Sequence, residues 1–215
     1  DLSVIASGPT VRDKTTKEDA LQVLKKYNLL DKLNLSFDDF LETPKDNKYF
    51  ENTLNILLLS NKTALLAMGE KAKELGFDAE IFSDKFQAEA KMAGKELIDK
   101  STPSQILLVA GETTVKVLNK TGQGGRNQEL VLAALPHINE NITIVAFDSD
   151  GWDNSPFAGA VGDSLTVQKA KKMNINPKDF LAENNSFTFF EKTGDGIITG
   201  RLPSNVSDLM IVIRK

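Results

Sequence analysis

Residues 122–130 read GQGGRNQEL, three glycines within four residues, and run straight into the apolar stretch LVLAAL. Glycine tolerates positive φ and lets another group come close to the backbone. The first amides of a helix lack intrahelical partners, and the helix dipole adds partial positive charge there. A turn of this kind can therefore hold a carboxylate or phosphate on Gly124 and Gly125, with Arg126 as a bidentate clamp and Asn127 beside it. Glu129, three residues on, shares a helix face with Arg126 and could orient its guanidinium. The same residues also fit a flexible loop before an ordinary helix, because a glycine-rich turn alone is a weak signal.

Three further stretches carry candidate chemistry. FDSDGWDNSPFAGAVGDS places Asp148, Asp150, Asp153 and Asp163 at or beyond the end of an apolar run. Carboxylates off the carboxyl end of a strand can hold Mg²⁺, with Asp150 and Asp153 as the candidates; Asp-rich turns also arise because Asp bonds local backbone. Ser7, Gly8, Pro9 and Thr10 form a hydroxyl-bearing turn that could cradle an anion or simply end a strand. In GRLPSNVSDL, Asn205 and its neighbours can close a turn or border a cleft. His137, after Pro136, reads as a surface residue at a helix end.

Composition narrows the classes. The chain has 215 residues, no cysteine and one histidine, so disulfides, thiolate chemistry and multi-histidine metal sites are excluded. Its net charge of -4 shows no basic block of a nucleic-acid binder. Apolar runs are strand-sized, and no signal peptide or bilayer-length segment is visible, which points to the cytoplasm. No P-loop, dinucleotide fingerprint or nucleophile elbow occurs. The chain opens on Asp1 in what reads as a strand, which suggests that natural sequence precedes it.

These residues must be carried by alternating elements. LSVIA, TLNILLLS, FDAEIFS, ILLVAG, TTVKVLN, ITIVAFD, GAVG, GIITG and the C-terminal run read as strands. Helices are expected over TTKEDALQVLKKYNL, more weakly over DKLNLSFDDFLE, over NKTALLAMGEKAKELG with Asn61 as N-cap, over KFQAEAKMAGKELIDKS, after the glycine turn, after Asp163, and twice within 176–194. The order implies an α/β fold, with a mostly parallel sheet flanked by helices in a Rossmann-like first part. TPSQ marks a change of pattern, with a boundary near Thr102.

VIASGPTVRD, GETTVKV, GQGGRNQELVLAA, FDSDGWDNSPFAGAVGDS, NNSFTFFEKTGDGIITG and SNVSDLMIV together, in this order, resemble the class II glycerate kinases, whose C-terminal module is called MOFRL. The resemblance covers nearly the whole chain. It implies ATP-dependent phosphorylation of D-glycerate, mostly to 2-phosphoglycerate, with ATP and Mg²⁺ as cofactors and Arg126 as the important C-terminal arginine. It also implies a division into residues 1–101, the end of a Rossmann-like kinase domain, and residues 102–215, a mixed α/β MOFRL module. Family members carry a long N-terminal portion, with a catalytic lysine and nucleotide-binding loops, that this sequence lacks; the chain alone is therefore expected to be inactive. SDGWDN and SNVSD depart from the usual TDGxDG and TNVND while keeping their polar character. The expected partners are D-glycerate and ATP, the rest of the same polypeptide and, as an option, a second copy; nucleic acid and membranes are not expected. A non-catalytic ligand-binding module and an NAD(P)H-dependent hydroxypyruvate reductase are the alternatives.

Overall fold

The computed structural model describes residues 2, 3 and 5–215, with Ala6 by its backbone alone. Its contacts divide it into two compact units, Asp1–Leu58 and Leu59–Lys215. The first unit holds α1 (Lys17–Lys26), α2 (Leu29–Leu33) and short 3-10 turns. A capping box starts α1, where Thr16 accepts from the Asp19 amide and the Asp19 carboxylate accepts from the Thr16 amide. The strand expected over LSVIA lies partly outside the described residues; Ile5–Ser7 form a 3-10 turn.

The second unit is a six-stranded sheet covered by helices. In chain order it runs α3 (Asn61–Glu74), β1 (Asp78–Phe86), α4 (Ala90–Lys100), β2 (Gln105–Gly111), α5 (Arg126–Ala134) and β3 (Ile142–Asp148). There follow β4 (Gly159–Gly162), α6 (Ser164–Lys172), α7 (Pro177–Ala182), α8 (Ser186–Thr193), β5 (Gly196–Ile197) and β6 (Asp208–Arg214). The strands lie in the order β1-β2-β6-β3-β4-β5. The α/β class is as expected. Among the strands of the sheet, however, parallel pairing is confined to β1–β2, because β6 returns antiparallel between β2 and β3.

Alternation along β2 explains the two core layers. Ile106, Leu108 and Ala110 pack with Leu65 and Ala72 of α3, whereas Leu107 and Val109 join the larger core under α4 and α5. A strand buried on both faces reads as a continuous apolar run, which is what ILLVAG is. Helix α5 is the central buried helix, with every residue from Asn127 to Ala134 buried. It meets α4 at Gly94, where a Cβ would overlap the Leu130 carbonyl, so only glycine permits this helix contact.

Three local expectations are corrected. Residues 54–59 form no ladder; Leu54 and Leu58 are 82% and 84% exposed, and an apolar run becomes a strand only when a neighbour supplies its hydrogen bonds. TTVKVLN makes only one bridge, between Thr114 and Glu89, and then leaves as a loop. The N-cap of α3 is Ser60, whose hydroxyl accepts from the Thr63 amide, while Asn61 is helical and donates to the Asp84 carbonyl. No helix among the described residues is long and apolar enough to cross a membrane.

Candidate active site

The site is built where β2 and β3 end and β6 begins, beside the start of α5. Asp148 closes β3 and Asp208 opens β6, and the two are paired in register. Arg126 is the first residue of α5 and reaches both. Its Nε donates to Asp208 Oδ2 at 2.6 Å and its Nη2 to Asp208 Oδ1 at 3.0 Å, a bidentate fork. Glu112 and Asp148 each stand 3.6 Å from Nη2. This side-on pair uses the Nε–Nη2 edge and leaves Nη1 outside it. The Arg126 side chain remains 31% exposed and lines a cavity of about 720 Å³ together with Thr113, Lys120, Glu129, Asp148 and Trp152. Such a volume suits a small ligand. Arg201 stacks over the outer Trp152 ring at 4.3 Å.

The electrostatics follow from burial. Asp208 is fully buried; burial raises its carboxyl above the usual range against the pull of Arg126. Asp148 is pushed up to about 6, first by burial and then by the neighbouring Asp208 and Asp150 charges, while the Asp150 amide and Arg126 act the other way. Arg126 loses solvation, but Asp208, Glu112 and Asp148 more than restore its charge, and its pKa lies above the ordinary value.

The glycine-rich turn holds a different anion from the one its sequence suggests. Asp153 is buried, and its carboxylate accepts from the backbone amides of Asn127 (3.2 Å) and Gln128 (2.9 Å) and from both side-chain amides. It is the cap of α5, delivered from 26 residues downstream. A Cβ on Gly125 would overlap this carboxylate, and one on Gly124 would overlap the Ser186 hydroxyl. The close approach that the glycines permit is therefore made by the protein's own residues. Burial raises the Asp153 carboxyl, against these four donors.

The remaining candidates separate accordingly. Asn127 is buried on Asp153, so its place is in the cap and not on a ligand. Asp153 has both oxygens committed to α5, which is a correction to its pairing with Asp150 as a metal site. Asp150 is half-buried, with its carboxylate accepting from the Trp152 amide. Among the described residues no group of three or more His, Asp or Glu could hold a metal ion. Glu129 does not orient Arg126; its Oε2 accepts from Asn184 at 3.0 Å, and Asp208 orients the arginine instead. Burial raises the Glu129 carboxyl. Asn205 is exposed and accepts from the Ser207 amide, closing a turn. Ser7, Gly8 and Pro9 line a separate cavity of about 380 Å³ in the first unit, where Thr10 bonds Asn55. His137 is exposed, as expected. Sequence reasoning missed Asp208, Asn184 and Thr113 as site residues; pattern assigns Asp208 to a turn bonding its own backbone and Asn184 to the helical stretch 176–194.

Residues 105–208 match the profile of the MOFRL family. This stretch, just under half of the chain, is similar to the MOFRL family. Residues 1–42 match a second profile, described as a domain of unknown function, DUF4147. The chain is 35% identical to glycerate 2-kinase of Pyrococcus horikoshii, covering 99% of this chain and 53% of that protein. It is 36% identical to D-glycerate 2-kinase of Thermotoga maritima, covering 98% and 52%. The crystal structure of glycerate kinase from Thermotoga maritima superposes with a TM-score of 0.81 at 34% identity, over 100% of this chain and 54% of the other. The chain thus spans about half the length of these relatives. Arg126, Asp148, Asp208, Glu129 and Thr113 all fall within the stretch that matches this profile. A second cavity in this stretch, about 450 Å³, is bordered by Leu135, Val167, Ile175 and Pro177 and gathers no comparable set of charged groups.

Proposed function

We propose that the protein carrying this chain is an ATP-dependent D-glycerate kinase forming 2-phosphoglycerate, and that the cavity beside α5 contributes the MOFRL side of its active site. The observation that carries this reading is the guanidinium of Arg126, fixed by a buried aspartate, on a residue that lines a ligand-sized cavity. Likeness to relatives named glycerate 2-kinase over nearly the whole chain supports it. Phosphoryl transfer asks the protein for positioning and charge neutralisation more than for covalent chemistry. Arg126 is already oriented, and its free Nη1 edge and Lys120 can meet the carboxylate or the transferring phosphoryl group.

ATP supplies the phosphoryl group, and any contact this chain makes with it does not use a P-loop. Mg²⁺ in such sites needs only one or two carboxylates besides phosphate oxygens, and Asp150 is the side chain proposed for that contact. Asn205 and residues 7–10 remain proposed substrate contacts. The domain division at Thr102 is proposed for the complete polypeptide; in this chain that residue lies between α4 and β2 of one compact unit.

The test is kinetic. In the complete polypeptide, Arg126→Ala is expected to lower kcat/KM for D-glycerate by about a hundredfold or more, as for a lost charge-stabilising donor. Near-normal turnover by this variant, measured as ADP released with glycerate, removes the residue from the chemistry.

A further inference from the structure

Two buried side-chain oxygens, on residues that line the cavity, lack partners. Oε1 of Glu129 makes no hydrogen bond, although the residue is only 3% exposed and its other oxygen is held by Asn184. Oγ1 of Thr113, equally buried, is also unpartnered. Both residues line the cavity that Arg126 and Lys120 share. A buried polar atom without a partner loses its hydration and gains nothing in return, so its retention at a cavity wall calls for a ligand group.

The local structure shows why this acceptor is held ready. Asn184 donates to both Glu129 and the Lys116 carbonyl, and its own carbonyl accepts from the Leu118 and Asn119 amides. One carboxylate oxygen is thus enough to anchor the loop before the glycine turn, and the other is left over. Thr113 is fixed through its neighbour, since Thr114 exchanges backbone bonds with Ala88 and Ala90 at the start of α4. A carboxylate oxygen accepts only, while a threonine hydroxyl both donates and accepts. A ligand hydroxyl has the matching capacities.

We infer that Glu129, assisted by Thr113, is the specificity-determining acceptor for a hydroxyl of a small hydroxy acid whose carboxylate is met by Arg126 and Lys120. The inference rests on the glycerate kinase reading and deepens it by naming the residues that read the hydroxyl. Burial weakens Glu129 as a partner for a ligand cation, which favours a neutral donor over an ammonium group.

The experiment is calorimetric binding of D-glycerate, lactate and 3-hydroxypropionate to the complete polypeptide, wild type and variants. Lactate and 3-hydroxypropionate each lack one hydroxyl. The wild type is expected to bind glycerate at least about tenfold more tightly than the weaker of the two, as for loss of a hydrogen bond to a charged group. Glu129→Gln keeps an oxygen for Asn184 but turns a donor toward the cavity; it and Glu129→Leu are expected to narrow the gap to about twofold, and Thr113→Val to narrow it in part. A purely structural role would weaken all three acids alike, and an unchanged gap overturns the inference. So does a wild type that binds none of them or shows no gap. If thermal melts show both Glu129 variants unfolded, Thr113→Val decides: an unchanged gap overturns, a narrowed one supports. A wild type that discriminates in binding yet releases no ADP with glycerate sinks the kinase reading and leaves the hydroxyl site standing.

Discussion

Arg126 sits among three carboxylates, and the most buried of them sets its geometry. Removing Asp208 would leave a half-buried guanidinium without its fork. Asp208→Ala is therefore expected to destabilise the fold by about 3 kcal/mol, read by chemical denaturation, and an effect under about 1 kcal/mol would mean that Glu112 and Asp148 replace it. Asp148 gives a pH signature. Its folded pKa of about 6 lies above the unfolded value, so the native state holds a proton that the unfolded chain releases. Its contribution to stability is complete below about pH 4 and is lost as pH rises through about 6. Asp148→Asn should remove that fall, worth at most about 3 kcal/mol, so the difference from wild type grows between pH 4 and 7. Parallel curves for the two proteins would refute the assignment.

Helix α5 depends on a carboxylate from another loop. Gly125 supplies no side-chain cap, and Asp153 fills that role. Asp153→Ala is expected to cost about 2 kcal/mol or more, because it removes a cap and also takes one bond from each of the buried Asn127 and Gln128 side-chain amides. Gly125→Ala should displace the carboxylate and cost about 1–3 kcal/mol. If unfolding midpoints show both variants as stable as wild type, Asp153 does not cap α5. At this scale the sequence was partly legible. Periodicity marked α3, α4, α6 and the buried strands β2 and β3, since each carries its own apolar pattern. It marked the GQGGRNQEL turn as a place of close approach, but not what approaches, because Asp153 lies 26 residues downstream. It made a strand of TTVKVLN, where alternation is present but only Thr114 finds a backbone partner across from it. Parallel pairing was over-extended because nothing in the β6 run shows that it inserts between β2 and β3.

Across the whole molecule, burial is uneven. The second unit has a two-layer core around its sheet, whereas residues 54–59 expose five large apolar side chains with no charge among them. Such a run with high β-propensity favours association between chains. Leu58→Lys is expected to change the stability of this chain by under about 0.5 kcal/mol, as for an exposed site, and to lower its light scattering at high concentration. A loss of stability beyond about 1 kcal/mol would mean that the run is packed in solution.

The in-register facing of Asp148 and Asp208 reaches beyond the arginine they surround. Were β6 displaced by a single residue, Leu209 would stand where the fork now closes, and every side chain of that ribbon would turn to the opposite layer. The guanidinium would then confront hydrocarbon. Threading of this strand is thus checked by charge as well as by grease, and misaligned chains lose the aspartate fork that orients Arg126.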